Sequence, residues 1–245
     1  MKQVSNFFLL LLDTISFLTV FPVSKKGKVG YKMFCVFPVV GLVIGLLCYG
    51  FVKVVESFFS FQITVLFSLV FYIVVADYLH LDGFVDTVDA TFSSLNKSPV
   101  EVLKDPHIGS VGVVYLILLL LVKYMFLLEL DENIFVLMTT LGRWSMAISG
   151  FFGEKLYSGG LGEKFIYKNK KVLILSCVPL FVLLFFVSEK IFLFVLIGII
   201  FVISTLITKF FNFKLGGING DIMGFVSEVS EVVVLIFCYF CKIFQ

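Results

Sequence analysis

Seven stretches of the chain, 34–55, 58–76, 109–128, 134–152, 172–187, 191–207 and 222–243, run apolar almost without a break. A helix needs ~20 such residues to cross a hydrocarbon core of about 30 Å, so the pattern predicts an all-α, polytopic membrane bundle of about seven transmembrane helices. No linker divides it, and 1–245 reads as one membrane-embedded domain. An earlier stretch, 7–21, is shorter and holds Asp13. It predicts an interfacial or re-entrant segment as readily as a span, and it reads as retained, because no small-x-small cleavage site follows.

Composition agrees. The chain is 60% hydrophobic and 15% charged, whereas a soluble domain carries about a quarter charged residues. The lipid bilayer is therefore a partner. A net charge of +2 is too small to argue for nucleic acid; a homo-oligomer is left open. Cys35, Cys48, Cys177, Cys238 and Cys241 all fall in apolar runs, and the Cys238/Cys241 pair has no second pair or histidine to complete a zinc site.

The connections alternate in charge. Lys25, Lys26, Lys28 and Lys32 precede the first run, Lys97 and Lys104 follow the second, Lys155 to Lys171 follow the fourth, and Lys209 and Lys214 close the sixth. The intervening connections carry Glu56, then Glu129, Asp131 and Glu132, then Glu189 beside one lysine. By the positive-inside rule the lysine-rich side faces the cytoplasm.

Two polar phrases, 77–89 and 216–224, interrupt the apolar pattern on that side. Carboxylates beside membrane spans point to function by default. On a helix, spacings of four and three bring Asp86 and Asp89 to within about 40° of Asp82. Like charges this close do not all stay ionised without a cation among them, and hard oxygen ligands beside a phosphate substrate suit Mg²⁺. Asp221 and Glu228 stack seven residues apart, with Glu231 about 80° round the helix. A solvated polar face would explain either stripe alone; two on one side make it less apt. Gly83, Gly216, Gly217, Gly220 and Gly224 permit close approach of a ligand, and Gly220-x-x-x-Gly224 is equally a helix-contact motif.

His80, two residues before Asp82, would point away from the stripe and reads as a general base, a ligand or a packed polar residue. Lys104 and Asp105 precede Pro106, where a helix is expected to end; a lysine there grips phosphate or sets topology. Arg143 is the only arginine among 19 basic residues. It lies in an apolar run and so requires a partner, either a phosphate or the carboxylates.

In order, 17–23, 37–45, the first acidic phrase as H-x-D-G-x-x-D-x-x-D-A, Lys104-Asp105 with Ile108-Gly109, the lone Arg143, Gly160-Leu161-Gly162 with Phe165, and 216–224 followed by Glu228 and Glu231 resemble the cobalamin-5′-phosphate synthases, or adenosylcobinamide-GDP ribazoletransferases. The resemblance covers nearly the whole chain. It implies an Mg²⁺-dependent membrane enzyme that joins α-ribazole or its 5′-phosphate to adenosylcobinamide-GDP and releases GMP. It further implies catalytic roles for His80, Asp82, Asp86, Asp89, Asp105 and Asp221, and substrate contacts for Lys104, Arg143, Gly217, Asn219, Gly220, Glu228 and Glu231. Val20, His107 and Tyr157 stand where the family tends to have arginine, and Ala90 where glycine is common.

Residues and resemblance together lead to one cytoplasm-facing cavity in a prokaryotic inner membrane. In it Asp82, Asp86, Asp89 and Asp221 hold the metal, with Arg143 and Lys104 at the rim. Two other classes fit the pattern less well. A CDP-alcohol phosphotransferase would open with two aspartates before an alanine-arginine step and place its later aspartates at successive spacings of four, whereas this chain has no such step and runs four then three. An ion-coupled transporter would place its acids at mid-membrane.

Overall fold

The computed structural model describes residues 2–24, 29–92, 99–103, 107–157 and 161–242; Lys104 and Asp105 lie outside the described residues. Its principal helices are α1 (Lys2–Leu18), α2 (Phe37–Val55), α3 (Phe61–Phe92), α4 (Ser110–Leu127), α5 (Ile134–Phe152), the short α6 (Lys170–Cys177), α7 (Lys190–Leu215) and α8 (Gly220–Phe240). All except α1 and α6 are long and apolar enough to cross a membrane, which makes this a polytopic helical membrane protein.

The bundle is built around α5. Its apolar window is 94% buried, against 22% for α4 and 28% for α7. The sequence explains this placement: α5 carries Thr139, Thr140, Arg143, Ser145 and Ser149, polar groups that lipid cannot satisfy. Helix α2 packs along it through small residues. A Cβ on Gly45 would come within 2.5 Å of the Val136 Cα, and Thr139 Oγ1 donates to the Gly41 carbonyl at 2.7 Å.

Helix α3 is 32 residues long and continues past the expected end of its span near residue 76. It contains one widened π turn over Ile73–Asp77. That turn presents the Val75 carbonyl sideways, where Val20 N–H donates to it at 2.9 Å. The end of α1 is thus fastened to the middle of α3. Helix α1 buries Thr14 and Leu18 and exposes Phe7, Phe8 and Leu9. It packs on α2, and among the described residues it is too short to count with the six long helices.

The stretch 172–187, expected as one helix, is split. Asn169 caps α6, its Oδ1 accepting from Lys171 N–H at 3.0 Å. The chain then tightens into a 3₁₀ helix over Val178–Phe185, with Pro179 at its start. Proline has no N–H for an i−4 carbonyl, so the α-helical ladder breaks there. The stretch still traverses the bundle. Helices α5 and α7 run parallel, since Trp144 meets Phe201, Ser149 bonds Thr208 at 2.6 Å and Asn212 Nδ2 reaches the Phe152 carbonyl at 3.0 Å. Parallel neighbours need a return between them. Eight α-helical and eight 3₁₀ residues extend about 28 Å, close to a bilayer core.

The connections sort by charge into two ends. At one, Lys53 pairs with Glu132 at 2.6 Å. At the other, Lys214 Nζ donates to the Thr91 carbonyl at 3.2 Å, and Lys155 bridges to Ile218. Both polar phrases belong to this second end.

Candidate active site

Two glycine-dependent features bring the phrases together, although well over a hundred residues separate them. Gly216 ends α7 with φ 84°, a left-handed conformation that other residues adopt at a cost, and it turns the chain back into the bundle. Gly83 on α3 then lets α8 approach. A Cβ there would lie 2.7 Å from the Asp221 Cα and 2.8 Å from its carbonyl oxygen. Asn219 starts α8 by accepting Ile222 N–H on Oδ1 at 3.1 Å, and its Nδ2 donates to Asp221 Oδ2 at 2.5 Å and to the Tyr157 hydroxyl at 3.3 Å. The capping residue is therefore also the group that orients Asp221.

A cavity of about 280 Å³ opens here. Asp82, Asp221, Asn219, His80, Gly220 and Tyr157 form its polar side; Phe17, Leu18, Phe34, Phe37, Met146 and Phe165 are among its apolar lining. Asp82 is exposed and Asp221 half-buried. Asp86 is not part of the lining, but it is half-buried one turn along α3 and feels the charges of Asp82, Asp221 and Asp89. Among the described residues no lysine or arginine pairs with Asp82, Asp86 or Asp221.

Asp89 departs from the expected metal set. It is 4% exposed, and its two oxygens accept Gly109 N–H and Gly112 N–H, each at 2.8 Å. It closes the N-terminus of α4, whose free amides and positive dipole end suit a carboxylate.

Arg143, Glu228 and Glu231 are also placed otherwise than expected. All three are fully buried rather than at the cavity rim. Glu228 shares a face of α8 with Asp221 but lies two turns, about 10 Å, deeper along the axis. Arg143 donates to the Tyr72 hydroxyl at 2.5 Å, to Asp77 Oδ1 at 3.1 Å, to the Ala76 carbonyl at 2.8 Å, and to Glu231. Asp77, Glu228 and Glu231 bring carboxylate oxygens within 4.8 Å of one another, close enough for a metal. The cation among them is the Lys123 ammonium, at 3.3, 2.7 and 2.6 Å respectively. Of the two partners foreseen for Arg143, the carboxylates are the ones it has. Lys123 and Asp77 were missed as site neighbours. Lys123 is the lysine inside the 109–128 run, and a charge in a span is the signal that marks it.

His80 connects the two layers. It is 4% exposed, lines the cavity, and its Nδ1 lies 3.3 Å from Arg143 Nη2 and 3.5 Å from Asp77 Oδ1. The guanidinium can only donate and the carboxylate can only accept, so Nδ1 serves Arg143 in the Nε2–H tautomer and Asp77 in the Nδ1–H tautomer. Gly217 is not at the cavity. It packs on the backbone of residues 154–156, where a Cβ would sit 2.4 Å from Leu156 N. Gly220 does line the cavity. Lys155, near the expected but absent arginine of position 157, pairs with Glu163 at 2.7 Å.

Comparison with known proteins bears on this geometry. Residues 10–239 match the family model described as cobalamin-5-phosphate synthase. An adenosylcobinamide-GDP ribazoletransferase of Thermodesulfovibrio yellowstonii is 35% identical over 243 residues, covering 92% of this chain and 94% of that protein. Proteins of the same name from Desulforamulus reducens and a Thermoanaerobacter species are 32% and 30% identical, over 90% and 84% of this chain and 92% and 85% of their own lengths. No solved structure matches. An acid-lined cavity in a membrane bundle thus occurs in a sequence shared almost end to end with these transferases, and the chain belongs to the cobalamin-5-phosphate synthase family of cobalamin-synthesising enzymes.

Proposed function

We propose that this enzyme joins ribazole, or its 5′-phosphate, to the corrinoid of adenosylcobinamide-GDP with loss of GMP, in an Mg²⁺-dependent transfer at the cytoplasmic face of a prokaryotic inner membrane. One observation carries the reading: Asp82 and Asp221 line a single cavity, and among the described residues no lysine or arginine is paired to either. Acids so placed repel a diphosphate unless a cation lies between. The all-oxygen set of Asp82, Asp86 and Asp221 suits Mg²⁺, whereas the deeper cluster already holds two cations, Lys123 and Arg143. When bound, the ion would screen the diphosphate and the leaving oxygens.

The protein's own groups account for the rest. A ribose hydroxyl oxygen attacks the corrinoid-side phosphorus, the bond from that phosphorus to the GMP oxygen breaks, and GMP departs. The hydroxyl proton passes to a carboxylate oxygen of Asp82 or Asp221, the latter oriented by Asn219. In the tautomer whose Nδ1 accepts from Arg143, Nε2 carries the hydrogen and His80 does not take that proton. Its Nε2–H instead donates to a phosphate oxygen. The apolar side of the cavity limits the water that would compete for the same phosphorus. The gathering of lysine-rich connections at the cavity's end of the bundle supports the cytoplasmic orientation.

The test is an assay of purified protein in detergent with adenosylcobinamide-GDP and α-ribazole, with Mg²⁺ or with EDTA. GMP and corrinoid product should form together and only with the metal. Equal turnover in EDTA would remove Mg²⁺ from the mechanism, and absence of product under all conditions would remove the reaction.

A further inference from the structure

The two sides of the cavity differ in chemistry, and its size decides which substrate meets which. Phe17 and Phe165 stand 5.2 Å apart, Phe34 and Phe165 5.5 Å, and Phe34 and Phe37 4.7 Å, so that a cluster of rings backs the apolar side. Asp82, Asp221 and His80 line the same cavity. A molecule that fills it needs a flat apolar end and a hydroxyl-bearing end. The volume of about 280 Å³ lies just under the roughly 300–1,000 Å³ typical of pockets that enclose drug-sized ligands. A ribazole, a methylated benzimidazole on one ribose, is of that class. A corrin ring with its side chains, adenosyl group and nucleotide is several times larger.

We propose that the aromatic side of this cavity is the subsite for the planar base of the ribazole acceptor, with the ribose directed at Asp82 and Asp221. The corrinoid stays outside and sends only its diphosphate to the cavity. The assignment rests on the proposed function for the identity of the two substrates. It gives α1 a role: Phe17 and Leu18 come from its last turn, held in place by the Val20 to Val75 hydrogen bond. The N-terminal helix is then part of the acceptor site.

Equilibrium dialysis of α-ribazole against the full chain in detergent, without corrinoid, tests this together with separate KM values for both substrates. Phe165→Leu and Phe17→Leu keep apolar bulk but remove the ring face. Each should weaken α-ribazole binding and raise its KM about tenfold, the scale of one lost aromatic stacking contact with its burial. The KM for adenosylcobinamide-GDP should change less than about twofold. On the unaltered protein, free 5,6-dimethylbenzimidazole should compete with α-ribazole and ribose 5-phosphate should not, a result independent of any variant's folding. If ribose 5-phosphate competes and the free base does not, or if the variants raise only the KM for the corrinoid, the subsite assignment falls. Product formation whose α-ribazole dependence ignores both variants overturns the subsite and leaves the reaction standing. Base-dependent binding without product overturns the reaction and leaves the subsite standing.

Discussion

At the scale of single residues, four aspartates that look alike in sequence have different surroundings. Asp82 and Asp221 line the cavity with no cation paired to them among the described residues, Asp86 is half-buried beside them, and Asp89 is spent on the amides of α4. Asp82→Asn and Asp221→Asn should each cut turnover about a hundredfold or more, to a low but measurable level, while the protein stays folded, since they remove charge and keep shape. The double variant should be far from additive and a raised Mg²⁺ requirement should accompany each, because both belong to one unit. Additive losses at unchanged Mg²⁺ dependence would count against a shared site. Asp89→Asn should behave differently. It should lower thermal stability in detergent by about 1–3 kcal/mol, the scale of a charged hydrogen bond, with the Mg²⁺ requirement unchanged. His80 supplies a finer distinction. Glutamine can place an N–H where Nε2 stands but cannot accept a proton there, so His80→Gln should keep activity within about tenfold of the parent, while His80→Asn and His80→Ala should lose on the order of a hundredfold. Equal loss in all three would return His80 to the role of base.

At the scale of elements, the cavity depends on a rigid layer beneath it. Lys123 of α4, Arg143 of α5, Asp77 and Tyr72 of α3, and Glu228 and Glu231 of α8 bind four helices through one buried network. Removing one member leaves charges buried without partners, a cost of about 3–5 kcal/mol. Lys123→Met should therefore reduce thermal stability and the yield of folded protein sharply, although Lys123 is remote from the cavity lining. A stable but inactive variant would instead indicate a direct catalytic part for Lys123. The π turn of α3 belongs to the same scale: Asp77 is its last residue, and its Val75 carbonyl anchors the chain beyond α1. Sequence periodicity assumes 3.6 residues per turn throughout, so it does not register this turn or the 3₁₀ segment after Cys177.

For the whole molecule, the proposed orientation rests on the separation of lysine-rich and acidic connections along the sequence. With Asp131→Cys and Lys171→Cys made singly in a background free of accessible native thiols, an impermeant thiol reagent added outside intact cells should label position 131 and not 171. The reverse pattern would invert the proposed topology. Both positions are exposed, so failure to react would reflect sidedness rather than burial.

The sequence by itself determined the class, the approximate number and position of the crossings, and the two phrases that meet at the site. Hydrophobic length is a local property and lipid reads it locally, which is why 37–55, 134–152 and 220–240 lie close to where the apolar runs put them. It also determined that Arg143 needs a partner, since a lone charge within a span is costly wherever the chain folds. Only the tertiary structure decided depth and partnership. Asp221 and Glu228 share a helix face, yet one meets a cavity and the other meets Lys123, because α4 and α5 cover the inner turns of α8 and leave its first turn open. Asp89 follows the spacing of a metal ligand but is taken by α4, a contact between segments twenty residues apart. Spacing along one helix fixes direction around its axis; which neighbour stands in that direction is settled by packing of the other helices.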